Sequence, residues 1–295
     1  MKKTVLQWSF KTDNLNSMMI RVPSPAKLNL FLHITGRRDD GYHELQTIFQ
    51  LIDLYDWINF EPTQDQQITI EGLATVQLEQ NLIYRAAQIL RPYAKQPCGV
   101  NIHIEKNIPM GAGLGGGSSN AATTLIVLNQ LWQCGLDEQQ LAAYGAQLGA
   151  DVPVFVLGRN AWAEGIGEKL SFIDLAQKQF IVLKPDCFIS TQQLFSQKTL
   201  TRDSKITTFC AYQLEPSTFG NNFEPLARHL YPEVDVALQY LDQFGHAKLT
   251  GTGACVFAEV TQEMNLEHIL QHAPCKAYLV NSLVESPLRH FSVTN

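Results

Sequence analysis

Five glycines stand between positions 111 and 117, and Ser118 and Ser119 follow them directly. So dense a run forfeits too much backbone entropy to be the interior of a helix or strand. It suits a loop whose N–H groups turn inward around an anion, because no side chain blocks the approach. Residues 100–105 alternate apolar and polar, which predicts a strand leading into the loop. A long apolar helix is expected to begin at Ser118 and Ser119, to end near Trp132 and to stop at Gly135. Strand, glycine loop and helix N-terminus together make a phosphate cradle. Its candidate members are Pro109, Met110, Gly111, Ala112, Gly113, Leu114, Gly115, Gly116, Gly117, Ser118 and Ser119.

Several phosphate-binding designs compete for that loop. Gly111, Gly113 and Gly116 have the spacing of a dinucleotide fingerprint, with Asp137 as the distant acid. Asp137 is better explained as a helix cap, since Gln140 three residues on completes a capping box. A P-loop requires a lysine before the hydroxyl residue, and none precedes Ser118. A protein-kinase loop runs into a second strand and needs a His-Arg-Asp catalytic loop, which the chain lacks. A plain tight turn would not use five glycines followed by two serines.

Upstream, residues 27–34 alternate, so that Lys27 and Asn29 share one face of a strand. Residues 36–41 read as a polar turn, 44–51, 56–60 and 68–70 as strands, and 81–90 as a helix stopped before Pro92. After a second helix ending at Gly149 comes Asp151, and Pro153 predicts an extended start to a strand over 154–157. Strands are expected at 180–184, 254–260 and 276–280. Helices are expected at 233–244 and after a capping Thr261.

A length of 295 residues favours two domains, and a boundary near 170–178 fits the pattern. The formal net charge of -6 argues against generic nucleic-acid or anionic-membrane partners, without excluding an anionic small molecule. No apolar run reaches the length of a membrane span. Polar Gln7, Ser9 and Lys11 break up any signal peptide, and residues 1–17 read as a disordered, dispensable extension. Six cysteines without a CxxC pair read as buried thiols of a reducing compartment, so a cytoplasmic location is expected.

Three segments carry a resemblance across most of the chain. They are Pro23-Ser24-Pro25-Ala26-Lys27-Leu28-Asn29-Leu30, the loop from Pro109 to Ser119, and Leu249-Thr250-Gly251-Thr252-Gly253-Ala254-Cys255. In this order they resemble the superfamily of galactokinase, homoserine kinase, mevalonate kinase and phosphomevalonate kinase. Two further runs, Gly36 to Leu45 and Leu148 to Phe155, are similar to the branch that phosphorylates a cytidine-diphosphate-linked substrate. One mild departure is Gln192 after Thr191, where relatives would carry proline.

The resemblance implies a two-domain α+β fold. Residues 18–172 would form a ribosomal-protein-S5-domain-2-like ATP-binding and catalytic domain with a left-handed βαβ crossover, and 173–295 a ferredoxin-like domain. It implies ATP and Mg2+, transfer of the γ-phosphoryl group to the 2-hydroxyl of a methylerythritol moiety, and a place in non-mevalonate isoprenoid precursor synthesis. A monomer or weak homodimer is expected.

Phosphoryl transfer needs positioning, charge neutralisation and an acceptor for the hydroxyl proton. Asp151 is the candidate base and Lys27 the cation that stabilises it and the attacking oxygen. Taken alone, Asp151 is also an ordinary helix-stop residue and Lys27 an ordinary solvated lysine. Asn29 would bind substrate hydroxyls. The resemblance assigns Tyr42, His43, Phe195 and Thr191 to the cytosine, Asn81 and Lys106 to the adenine side, and Gly251 and Gly253 to a loop against the active site. Ser119 is the candidate metal ligand, with helix capping as its competing role. Three other readings stay open at this point: a sister kinase for another alcohol, a non-catalytic nucleotide sensor and an NAD-dependent oxidoreductase.

Overall fold

The computed structural model describes residues 19–73, 76–95 and 99–292; the expected extension at 1–17 and Cys98 lie outside them. Strands β1 (Ile20–Arg37) and β2 (His43–Thr63) form a long antiparallel hairpin. The polar turn between them is closed by the Arg38 amide donating to the Tyr42 carbonyl at 2.7 Å. Strand β2 is the spine of a six-stranded sheet. Its second half pairs with β4 (Gly99–Glu105), which runs parallel to β3 (Ile68–Glu71). Its first half pairs with β5 (Ala161–Glu164), which carries β6 (Lys169–Phe172) on its outer edge.

Helices α1 (Leu82–Leu90), α2 (Gly116–Leu131), α3 (Glu138–Ala146) and α4 (Val152–Leu157) cover one face of this sheet. The chain then forms a second sheet of β7 (Gln179–Lys184), β8 (Lys248–Leu249), β9 (Val256–Glu259) and β10 (Lys276–Asn281). Its order is β10-β7-β9-β8, fully antiparallel, the arrangement of a ferredoxin-like unit. Helices α5 (Thr191–Ser196), α6 (Phe209–Leu214), α7 (Glu224–Leu230), α8 (Pro232–Asp242) and α9 (Leu266–Gln271) complete it.

Strand β1 is buried on both sides, which the alternation in its sequence does not show. Ile20 and Val22 join the helix-covered core, whereas Leu28, Leu30 and Phe31 pack with Phe180, Val182 and Phe257 of the second sheet. Phe31 also touches Trp162, Tyr212 and Phe219, with ring centroids 5.3–5.6 Å apart. The polar side of β1 is therefore not a solvent face: Lys27 is 3% exposed and Asn29 2%. After β10 the chain returns to the first core, where Leu288 and Phe291 are buried.

Four expectations need correction. The two strands expected at 44–51 and 56–60 are one strand, β2, with a bulge. Pro25 pairs with Tyr55 and Ala26 with Ile52, and the looped-out Asp53 accepts from Asn281 of β10. Residues 154–157 are helical rather than extended, because proline is welcome in a first helical turn, where no N–H partner is lost. All six residues of α4 are buried, so neither period was readable there, and Gly158 ends it at φ 61°. Helix α9 is capped by Asn265, whose side chain accepts from the His268 amide, and Thr261 lies too far upstream to do so. Cysteines 134 and 255 are buried as expected, but Cys210 is exposed. The capping box of Asp137 and Gln140 is present as read.

Candidate active site

The glycine loop leaves β4 and enters α2, whose first helical residue is Gly116, two residues earlier than the serines suggested. Gly115 occupies the N-cap in a left-handed conformation and no side chain caps the helix. Its first N–H groups are therefore left for a bound anion. Gly111, Gly113 and Gly115 all have positive φ, between 60° and 76°. Two of them are also sterically obligatory. A Cβ on Gly113 would stand 2.0 Å from the Thr250 carbonyl oxygen, and one on Gly115 would stand 2.8 Å from Phe155 and 3.1 Å from Lys27.

The loop divides two clefts. The smaller, about 330 Å3, is lined by Asn81, Lys106, Pro109, Met110 and the helix-entry residues from Gly115 to Ser118. The larger, about 1070 Å3, is lined by Lys27, Asn29, Tyr42, His43, Asp151, Thr191, Phe195, Gly251 and Gly253. Gly111, Gly113 and Gly115 line both. Of the residues predicted from sequence, only Leu114 and Ser119 reach neither cleft. Leu114 is core, though its carbonyl accepts from the Lys27 amide at 3.0 Å. Ser119 is fully buried, with its hydroxyl 2.8 Å from that of Ser24, so it caps nothing and faces no cleft.

Lys27 stands where the clefts meet. Its ammonium lies 3.4 Å from the Asp151 carboxylate, donates to the Gly113 carbonyl at 3.0 Å, and also donates to Asn29 Oδ1. A buried ammonium needs such partners, since an unpaired charge there would cost several kcal/mol. Asp151 keeps 33% of its side chain exposed, towards the larger cleft. It sits just before α4, where the turn after Gly149 delivers it.

The opposite wall comes from the second sheet. Thr250 accepts from the Asn29 amide at 3.0 Å and donates to the Gly113 carbonyl at 3.2 Å. Asn221 supports the same turn by donating to the carbonyls of Leu249 and Gly251, both at 2.8 Å. At the far end of the cleft, His43 stacks on Phe195 with centroids 4.8 Å apart, and Tyr42 is 60% exposed above it. Burial, then the cations of Arg202 and Arg37, hold the His43 imidazole below its usual pKa, in the neutral form. Thr191 meets Thr252 at 2.9 Å across the cleft mouth.

Sequence reasoning missed three supporting residues. Asp56, fully buried, accepts from the amides of Asn107 and Ile108, from Asn120 and from Lys106, fixing the start of the loop. An acid inside an apolar strand was the available signal. Thr250 was quoted only as part of a motif. Arg202, which bonds His43, lies in a polar stretch with no pattern to mark it. Among the described residues no group of three or more His, Cys, Asp or Glu side chains forms a metal cage, and no helix is long and apolar enough to cross a membrane.

Comparison with known proteins bears on this geometry. Residues 81–159 match the family of GHMP kinases N terminal domain, and residues 210–278 that of GHMP kinases C terminal. A protein of Acinetobacter baumannii named 4-diphosphocytidyl-2-C-methyl-D-erythritol kinase is 83% identical over 277 residues, 94% of this chain and 100% of its own length. A protein of the same name from Acinetobacter baylyi is 74% identical over 275 residues, 92% of this chain and 99% of its own. The crystal structure of a 4-(cytidine 5'-diphospho)-2C-methyl-D-erythritol kinase has a TM-score of 0.77 at 32% identity, covering 89% of this chain and 99% of that one. A mevalonate kinase shares the fold, with a TM-score of 0.68 at 18% identity, covering 90% of this chain and 100% of that one.

Proposed function

The chain belongs to the 4-diphosphocytidyl-2-C-methyl-D-erythritol kinases, within the GHMP kinases, and on that premise we propose that it transfers the γ-phosphoryl group of ATP to the 2-hydroxyl of 4-diphosphocytidyl-2-C-methyl-D-erythritol at the Lys27–Asp151 pair. It is a kinase of isoprenoid precursor synthesis with an α+β GHMP fold and ATP as co-substrate. The sensor and oxidoreductase readings lose their ground, as does a sister kinase for another alcohol.

One observation carries the assignment of roles: Lys27 and Asp151 meet at 3.4 Å where the glycine loop separates the two clefts. The triphosphate lies along Gly111 to Gly117 and the open N-terminus of α2, with its base in the smaller cleft beside Asn81 and Lys106. The acceptor extends through the larger cleft, its cytosine against Tyr42, His43 and Phe195. Asp151 receives the proton of the attacking hydroxyl. Lys27 lowers the cost of the charge that develops on that oxygen, and Asn29 orients the polyol.

Magnesium bound with ATP would neutralise phosphate charge. Among the described residues no cluster of His, Cys, Asp or Glu side chains forms a dedicated cage for it, and Ser119 does not fit as a ligand because its hydroxyl is buried against Ser24. We assign 18–172 as the ATP-binding and catalytic domain and 173–295 as the second domain, in a cytoplasmic enzyme that is a monomer or weak homodimer.

The deciding experiment measures ADP release with ATP and magnesium across the cytidylyl substrate, mevalonate, homoserine and galactose. Turnover with the first alone is expected. Turnover with another would keep the kinase but reassign Tyr42 and His43, and ATP binding without any turnover would remove catalysis altogether.

A further inference from the structure

Arg202 does not line the larger cleft but is bonded to two residues that do, His43 and Phe195. Its Nη2 donates to the carbonyls of Phe195 and Gln197 at 2.8 and 2.7 Å, and its Nη1 to the Leu200 carbonyl at 3.0 Å. These bonds fold the segment after α5 around a planar guanidinium. Its Nε–H points at His43 Nε2, 3.0 Å away. A guanidinium can only donate, so His43 Nε2 must accept and the ring proton of neutral His43 must sit on Nδ1. The charged groups acting on the ring, Arg202 and Arg37, are both cations and oppose a second proton.

We propose that Arg202 is a positioning residue for base selection: it locks the His43 imidazole in the Nδ1–H tautomer, so that the ring offers the cleft a hydrogen-bond donor and favours cytosine over uracil. Cytosine presents an unprotonated N3, which accepts from that donor. Uracil presents N3–H, so two donors meet and neither is satisfied. A site that leaves a buried polar group unpaired discriminates far more strongly than one that merely loses contact area. Lysine is no substitute, because a single ammonium cannot span three carbonyls and an imidazole in one plane. This inference rests on reading the larger cleft as the base pocket.

The test combines imidazole 15N NMR of the intact protein with kinetics of Arg202→Lys and Arg202→Met. In the unsubstituted protein His43 Nε2 is expected to be unprotonated and Nδ1 protonated; a protonated Nε2 overturns the proposal, whatever the variants do. Both variants are expected to raise KM for the cytidylyl substrate about tenfold, to leave KM for ATP unchanged, and to narrow the preference over a uridylyl analogue. Unaltered base preference in both variants would sink the idea. His43→Ala separates the two layers: if it leaves the cytidylyl KM untouched, the base-pocket reading itself fails. If it raises that KM while the Arg202 variants do not, only the role of Arg202 falls.

Discussion

The two clefts on either side of the glycine loop are built from different materials. The smaller is largely backbone: positive-φ glycines, an uncapped helix N-terminus, and side chains such as Lys106 already committed to Asp56. The larger is walled by side chains, with Tyr42, His43, Phe195 and Thr191 contributed by β1–β2 turn residues and the segment around α5. A backbone wall recognises what all triphosphates share and tolerates no added atom. A side-chain wall can choose between bases and loses that choice by degrees.

The largest effect is expected at the junction. Asp151→Asn should lower kcat by roughly 10²-fold or more while both KM values stay near their starting points, because the isosteric amide keeps the shape of both walls and removes the proton acceptor. Near-normal turnover would take Asp151 out of the chemistry and leave the clefts as binding sites only. Next comes the backbone wall. Gly113→Ala forces a methyl group onto the Thr250 carbonyl at a left-handed position. Overpacking of this kind costs about 1–3 kcal/mol, and thermal unfolding should show Tm falling together with ATP turnover. An alanine variant with unchanged Tm and KM for ATP would mean the loop is adaptable, and the contrast would collapse.

The side-chain wall should respond more gently. Tyr42→Ala removes one stacking face, worth about 1–3 kcal/mol, and should raise KM for the cytidylyl substrate alone; equal weakening of ATP would contradict the separation of pockets. The smallest effect on turnover is expected at Lys248, which lines neither cleft and acts on stability instead, donating to the carbonyls of Leu30 and Pro216. Burial pushes its ammonium down to about 8. An unfolded lysine keeps its proton to about 10.4, so between these values the unfolded chain binds more protons and folding stability rises with pH. Relative to Lys248→Met, the unsubstituted protein should gain at most about 3 kcal/mol across that window, at about 1.4 kcal/mol per unit. Parallel Tm profiles for the two proteins would show that Lys248 is not so deeply desolvated.

The contrast also explains what could be read in advance. The glycine loop and the capping box were legible because they are local: spacing alone dictates the conformation. The pairing of Lys27 with Asn29 followed from a period of two, and that of Lys27 with Asp151 was suggested only by motif resemblance, since 124 positions separate them in the chain. Helix α4 was misread as a strand because a segment buried all round carries no periodic signal. The bulge at Asp53 hid the continuity of β2. Arg202 and Asp56 escaped because their value lies wholly in partners supplied by distant turns, and nothing in a polar stretch or an isolated acid names those partners.

The bonds from Lys27 to the loop constrain how the enzyme can move. Its amide holds the Leu114 carbonyl and its ammonium the Gly113 carbonyl, while Thr250 grips that same Gly113 carbonyl from the second sheet. The glycine loop is thereby riveted to both halves of the molecule and cannot swing as a lid without dragging the Lys27 ammonium away from Asp151. Entry and exit of substrates must use the cleft mouths, where Phe188 and Tyr42 stand in solvent, so the chemistry stays assembled while only the doorways breathe.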